Sequence, residues 1–225
     1  MITAKAAIFD IDGTLLDSVD MHAEAWRRAF RKFGKIIPAS RIRTQIGKGG
    51  DQLLPVFLGR DEQLAFGEEL TNYRADLWKR DFMSKVKPFP HVRELFIALR
   101  DRRIRLALAS SSKKDELEYY KRVLRIDDLI EADTSADDAE RSKPHPDIFQ
   151  AALARTGVRA EETIAVGDTP YDAQSAGGAG IRTVGVLCGG FPAASLRDAG
   201  CTEVYRNPAA LMGSMDGWVH WNYGS

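Results

Sequence analysis

Two aspartates one residue apart, Asp10 and Asp12, could hold a cation or carry proton-transfer chemistry. They follow the apolar run of residues 6–9, which resembles a buried strand, and they enter a Gly-Thr turn. Side chains two residues apart on an extended segment point the same way, so both carboxylates face one site. Because like charges that close are costly to ionise without a cation, the pattern predicts an acidic functional site. An acid-rich turn without chemistry is the alternative.

Three later segments carry polar side chains at comparable places. Ser110 follows the apolar run 105–109, Lys143 precedes a helical pattern, and Asp168 and Asp172 follow the apolar run 163–166. Ligands of open parallel sheets bind beyond the carboxyl ends of the strands. We therefore expect these side chains to converge on the aspartate pair.

The alternation of short apolar runs with amphipathic segments predicts an α/β fold, a doubly wound parallel sheet with a Rossmann-like core. Strand patterns lie near residues 5–9, 104–109, 163–167 and 182–187, with a weaker one at 203–205; helical patterns lie near 90–102, 113–125, 146–156 and 170–179.

One long segment interrupts this alternation. Residues 18–86 show only helical periodicity, and the proline-rich stretch 85–90 that follows marks a boundary. We predict an α/β core domain formed by residues 1–17 and 87–225, and a helical insertion formed by residues 18–86.

Four motifs together resemble those of the haloacid dehalogenase superfamily: DxDGT, a strand-end Ser or Thr, a Lys before a helix, and GDxxxD. The resemblance spans most of the chain and is closest to the phosphoglycolate phosphatase and β-phosphoglucomutase branch. It implies that the insertion is a cap over the active site. It also implies a Mg²⁺ cofactor and a backbone carbonyl of Asp12 as one of its ligands.

The residue types suit phosphoryl transfer. Attack by Asp10 would form an aspartyl-phosphate, a recognised covalent intermediate. Asp12 suits a general acid for the leaving alkoxide and then a base for water; we expect neighbouring carboxylates and partial burial to favour its protonated form. Lys143 would add positive charge, unless it is a surface lysine. Ser110 would donate to a phosphoryl oxygen or cap the next helix, and the adjoining Ser111 is a candidate substrate ligand.

Hard oxygen ligands for Mg²⁺ are available in the same motifs. Asp10 and Asp168 are the primary candidates, and Asp12 joins them through the resemblance. Asp172 is either a water-mediated metal partner or an anchor for Lys143, and the sequence leaves both open.

Substrate selection is expected from the insertion. The glycine-rich loop 46–52 contains Lys48 and Gly49, which could face an anionic group; a flexible turn between helices is the alternative. His22 matches a position that faces the substrate in sugar-phosphate mutases of the superfamily, and a solvated helix histidine is the alternative.

The favoured function is a Mg²⁺-dependent phosphatase of small phosphorylated metabolites, phosphoglycolate-like or sugar-phosphate-like. A β-phosphoglucomutase-type phosphomutase is the second hypothesis. Such mutases hold the distal phosphate with a cap arginine, whereas the loop 46–52 has none. The presence of Asp12 disfavours dehalogenation. A non-enzymatic aspartyl-phosphate module, like a response-regulator receiver, would have no use for a substrate-shaping insertion.

Composition narrows the partners and the setting. With 32 basic and 32 acidic residues, we expect neither nucleic acid nor a membrane surface as a partner. Cys188 and Cys201 lack metal-site or disulfide spacing, so we expect reduced thiols in a cytoplasmic protein. We expect a monomer or a homodimer. An aromatic tail (Trp218, His220, Trp221, Tyr223) is expected to pack on the core or on a neighbouring subunit.

Overall fold

Ten strands and their order define the architecture of residues 2–222, the part of the chain that the computed structural model describes. In chain order they are β1 (Ile2–Thr3), β2 (Ala6–Phe9), β3 (Leu16–Asp17), β4 (Lys87–Pro88), β5 (Arg105–Ala109), β6 (Ala132–Thr134), β7 (Thr163–Gly167), β8 (Arg182–Val186), β9 (Cys201–Tyr205) and β10 (His220–Trp221). Six of them form one parallel sheet in the order β6-β5-β2-β7-β8-β9.

The chain enters this sheet at its centre. From β2 it continues to β5 and β6 on one side and later to β7, β8 and β9 on the other. The reversal places a topological switch point at β2, where ligands bind in open α/β sheets. The predicted doubly wound fold is confirmed. The sequence analysis missed β6, because this edge strand has only three residues and a central aspartate.

The helices of residues 2–222 are α1 (Val19–Lys32), α2 (Ala39–Arg43), α3 (Gly50–Phe57), α4 (Arg60–Glu62), α5 (Glu68–Asp81), α6 (Val92–Asp101), α7 (Lys114–Leu124), α8 (Asp147–Thr156), α9 (Pro170–Gly178), α10 (Ala193–Asp198), α11 (Pro208–Gly213) and α12 (Met215–Trp218). Helices that follow β4 cover both faces of the sheet, whereas α1–α5 lie in the segment between β3 and β4. Alternate residues of β2 face opposite layers, as strand geometry requires. Phe9 packs on Phe96 of α6 (ring centroids 4.8 Å apart), whereas Ile8 joins the apolar cluster that contains Phe149 of α8. Within residues 2–222, no helix combines the length and apolar character that a membrane span needs.

The segment between β3 and β4 is helical, as its periodicity predicts. The two strands that enclose it pair antiparallel, with Leu16 opposite Pro88 and Asp17 opposite Lys87. Helices α4 and α5 are joined by a π-helical turn, Gln63–Gly67. A separate apolar cluster, made by residues between 19 and 70, lies inside this segment. These features support our proposal that residues 18–86 form a cap on a core of residues 1–17 and 87–225.

The aromatic tail packs on the core as far as it is described. Trp218 is fully buried, and its Nε1 donates to the carbonyl of Leu211 at 2.9 Å. Trp221 lies in β10, which pairs with β1. Tyr223 lies outside the described residues. The described part of the tail is therefore packed against the core.

Trp218→Ala should destabilise the protein by about 3–5 kcal/mol, the usual cost of emptying a fully buried aromatic site. Trp221→Ala, at a half-buried position, should cost less than half as much. Urea unfolding followed by circular dichroism measures both. Equal losses would contradict the different packing of the two rings.

Candidate active site

Lys143 lies fully buried among groups from three elements at the carboxyl edge of the sheet. Its Nζ is 2.6 Å from Oδ1 of Asp10, just after β2, and 2.8 Å from Oδ1 of Asp172, in the first turn of α9. It also donates to the carbonyl of Ala109 at 2.9 Å, at the end of β5. The alternative of a surface lysine is wrong. The ammonium group of Lys143 therefore contacts the DxDGT motif, the GDxxxD motif and the residue that precedes the strand-end Ser110.

Both carboxylate oxygens of Asp172 face protein groups, although the contact of Oδ1 with Lys143 is an ion pair without hydrogen-bond geometry. While Oδ1 faces Lys143, Oδ2 accepts from the backbone N–H and the hydroxyl of Thr169 at 3.1 and 2.6 Å. The Thr169 hydroxyl in turn accepts from the Asp172 N–H at 3.2 Å, which completes a capping box at the start of α9. Of the two roles left open by the sequence, this geometry favours an anchor for Lys143.

Asp168 is fully buried, and one of its oxygens lacks a partner. Oδ1 accepts from the Thr14 hydroxyl at 2.9 Å, whereas Oδ2 has no hydrogen-bond partner among residues 2–222. A Cβ at Gly189 would collide with Oδ2, so the glycine keeps room beside it. Burial raises the pKa of Asp168 well above its usual range, and the charge of Asp10 adds to the shift.

These carboxylates fit a divalent cation. Asp10, Asp168 and Asp172 offer oxygens within 4.8 Å of one another. Burial raises the pKa of Asp10 to about 7, although Lys143 opposes the shift. One ammonium group cannot balance three carboxylates, so the ionised cluster requires a further cation. The free oxygen of Asp168 and the all-oxygen donor set suit Mg²⁺, with Asp10 and Asp168 as the residues that would hold it.

Asp12 is not part of that cluster and accepts three hydrogen bonds. Its Oδ1 accepts from Ser18 Oγ (2.6 Å) and His22 Nε2 (2.9 Å), and its Oδ2 accepts from Ser112 Oγ (3.1 Å). Burial alone would raise the pKa of Asp12, but His22 and the two hydroxyls outweigh it and lower the pKa to about 2. The expectation that its surroundings favour a protonated carboxyl is therefore wrong for this arrangement.

His22 is held in one tautomer. A guanidinium can only donate, so the hydrogen bond between Arg74 and Nδ1 leaves the ring proton on Nε2, which donates to Asp12. Burial lowers the pKa of His22, which favours this neutral form. The ring stacks on Trp78 with centroids 3.6 Å apart. His22 is buried and links α1 to Asp12 of the first motif. The alternative of a solvated histidine is therefore wrong.

The serine series after β5 is also buried. Ser110 is fully buried, and its Oγ accepts from the backbone N–H of Ser112 at 3.1 Å. Helix α7 instead begins after Lys113, without a side-chain cap, so the N-cap alternative for Ser110 is wrong. Ser111 lines the cavity described below, and its Oγ lies 3.4 Å from the carbonyl of Gly47.

The loop of residues 46–52 closes over the core rather than forming a free turn. Lys48 Nζ donates to Gln45 Oε1 at 2.7 Å and lies 4.5 Å from the ring centroid of Tyr171. Gly49 lies against Ser142, where a Cβ would collide with the serine side chain. Both Lys48 and Gly49 line the cavity. Their roles as substrate ligands stay predictions.

A cavity of about 500 Å³ lies between the sheet edge and the cap. Asp10 and Asp12 form its floor, and its wall includes two charged residues that the sequence analysis missed, Arg74 of α5 and Glu116 of α7. Neither belongs to a motif, and both fall on helices whose polar residues read as solvent-facing. The loop 46–52 does lack an arginine, but α5 supplies one, so the loop does not argue against a phosphomutase.

Comparisons with known proteins identify a matching family and several relatives. The model of the family described as haloacid dehalogenase-like hydrolase matches residues 7–186. A phosphorylated carbohydrates phosphatase of Thermotoga maritima is 29% identical over 206 residues, 90% of this chain and 94% of the relative. A phosphoglycolate phosphatase of Nitrosospira multiformis is 29% identical over 181 residues, 78% and 80% of the two chains. The crystal structure of a hydrolase from Pseudomonas syringae superposes with a TM-score of 0.87 at 28% identity, covering 95% of this chain and 99% of that one.

Asp168→Asn should stabilise the metal-free protein and remove its response to Mg²⁺. A carboxyl whose pKa rises on folding destabilises the fold; the penalty is absent below the unfolded-state pKa and complete above the folded-state pKa. Asn keeps an acceptor for Thr14 without the charge. At neutral pH we expect the variant to melt a few degrees higher in EDTA, while Mg²⁺ raises the melting temperature of the wild type alone.

The control for this experiment is Asp17→Asn, at an exposed carboxylate, which should behave as the wild type. An equal Mg²⁺-dependent rise in the Asp168 variant would contradict its place in the metal site.

Proposed function

Since the chain belongs to the haloacid dehalogenase-like hydrolase family, we propose that it is a Mg²⁺-dependent phosphatase of small phosphorylated metabolites. The observation that carries the proposal is the position of Asp10. Its carboxylate forms the floor of the cavity, is held by Lys143 at 2.6 Å and lies beside the buried carboxylate of Asp168. The phosphatase names of the relatives support the reaction class.

Asp10 would be the nucleophile. Lys143 and the Thr14 hydroxyl, which lies 3.1 Å from Oδ2, fix the carboxylate in one orientation. A fixed carboxylate facing a bound phosphoryl group loses little entropy on attack. The reaction would form a bond between an Asp10 oxygen and phosphorus, release the alkoxide and leave an aspartyl-phosphate that water then hydrolyses.

Asp12 would handle the proton in both half-reactions. In the arrangement described, it is ionised and oriented by three donors, so it can take a proton from attacking water, but the same donors weaken it as a base. Protonating the leaving alkoxide requires the acid form, and for that at least one donor must give way. His22 is the donor carried by α1 of the cap, so motion of the cap would change the proton affinity of Asp12.

The metal would be held by Asp10 and Asp168, with the backbone carbonyl of Asp12 added by the family resemblance. When bound, Mg²⁺ supplies charge neutralisation between the anionic nucleophile and the phosphoryl oxygens. Ser110, which directly follows β5, would contribute a hydrogen bond to the phosphoryl group. Asp172 would act through Lys143.

A phosphomutase is the second candidate, and Arg74 is the observation that favours it. A guanidinium in the cavity wall could hold a distal phosphate of a bisphosphate intermediate. Release of inorganic phosphate separates the two reactions, because a mutase returns the phosphoryl group to the substrate.

Asp10→Asn should reduce turnover at least about a thousandfold, as expected when a covalent nucleophile is lost. The amide is nearly isosteric, so the fold should persist by circular dichroism. Phosphate release from p-nitrophenyl phosphate with Mg²⁺ is the measurement, and Asp17→Asn is the matched control. Turnover within tenfold of the wild type would refute nucleophilic catalysis by Asp10.

A further inference from the structure

Glu116 is a buried carboxylate in the cavity wall without a hydrogen-bond partner. It lies in the first turn of α7, is 3% exposed and lines the cavity. Residues 2–222 provide it with neither a hydrogen bond nor an ion pair, although burial raises the pKa of its carboxyl. Its oxygens are not among the enclosed polar atoms that lack a partner, so they face the cavity. A carboxylate that faces a cavity without a partner among residues 2–222 can accept hydrogen bonds from a ligand there.

Arg74 reaches the same cavity from the cap. It donates to His22, and its guanidinium lies 5.3 Å from the ring centroid of Trp26 and 5.4 Å from that of Trp78. Its buried Nε has no hydrogen-bond partner within residues 2–222. Glu116 is its main electrostatic partner, but the two side chains form no ion pair. Ligand groups between them would meet a donor on one side and an acceptor on the other.

The remote part of the cavity carries balanced charge. Apart from the floor and His22, its ionisable lining residues are three cations and three anions: Lys48, Arg74, Lys113, Asp51, Glu68 and Glu116. The ammonium group of Lys48 is already hydrogen-bonded to Gln45. A site for a second phosphate or a carboxylate would need an excess of positive charge. This wall has none.

We propose that Glu116 makes the enzyme selective for a neutral, polyhydroxylated leaving group, the monophosphate of a sugar or polyol. The inference rests on the proposed phosphatase function and names its substrate class. A carboxylate can accept hydrogen bonds from hydroxyl groups on two neighbouring carbons, while Arg74 can donate to other oxygens of the same ligand. The same carboxylate repels the carboxylate of phosphoglycolate and the second phosphate of a bisphosphate.

Two further features fit this class. The cavity of about 500 Å³ lies in the range of sites that enclose drug-sized ligands, far larger than a two-carbon leaving group needs. Trp26 also lines the cavity. Its exposed edge, 5% of the residue's surface, would give an apolar contact to the C–H side of a sugar.

The test compares kcat/KM of the wild type and Glu116→Gln for hexose 6-phosphates, phosphoglycolate and p-nitrophenyl phosphate. We expect the wild type to prefer hexose 6-phosphates over phosphoglycolate. In the variant, the ratio of kcat/KM for hexose 6-phosphate to that for phosphoglycolate should fall at least about tenfold, the effect of one lost charged hydrogen bond. Glu118→Gln is the control: it lies on the same helix and pairs with Lys121 outside the cavity.

The outcomes separate this inference from the proposed function. If the wild type hydrolyses none of the three substrates, the phosphatase proposal fails. If it hydrolyses p-nitrophenyl phosphate but prefers phosphoglycolate to every hexose phosphate, the inference alone fails. An unchanged ratio in Glu116→Gln, with all rates lowered equally, would also overturn it. Should that variant not fold, the wild-type preference still decides.

Discussion

One fully buried ammonium group, on Lys143, stands among three buried carboxylates. It lies within 2.8 Å of two of them, Asp10 and Asp172, and the third, Asp168, has one oxygen without a hydrogen-bond partner in the described part of the chain. Like charges at this density resist ionisation in a buried site, so the cluster is incomplete without another cation. A metal ion would supply the missing positive charge. Together with Lys143, it would also offset the negative charge of a bound phosphoryl group.

The sheet topology creates this cluster, and the cap divides its surroundings into two electrostatic regions. Strands β2, β5 and β7 end at neighbouring positions, which brings side chains from three distant segments together. At the floor, acidic groups and Lys143 are arranged for phosphoryl chemistry. Toward the cap, Arg74 and Glu116 belong to a wall of balanced charge. In our proposal, strong local charge would recognise the reacting phosphoryl group, and the polar groups of Arg74 and Glu116 would recognise the leaving group.

Sequence reasoning could place residues that directly follow apolar strands, since strand ends of a parallel sheet must meet. Asp10 and Asp168 belong to this class. It could not find Arg74 or Glu116, because a polar residue on an amphipathic helix faces solvent or a cavity depending on how cap and core pack. It also misjudged the proton affinity of Asp12, which depends on donors from Ser112 and from His22 of the cap. The strands followed from local patterns, whereas those contacts depend on tertiary packing.

The stereochemical course at phosphorus tests the central claim most directly. Transfer through Asp10 requires two in-line displacements, by the carboxylate and then by water, and each inverts the configuration at phosphorus. Hydrolysis of a phosphorothioate monoester made chiral with oxygen isotopes, in isotopically labelled water, should therefore proceed with overall retention. Overall inversion would mean a single attack by water on the substrate and would contradict nucleophilic catalysis by Asp10.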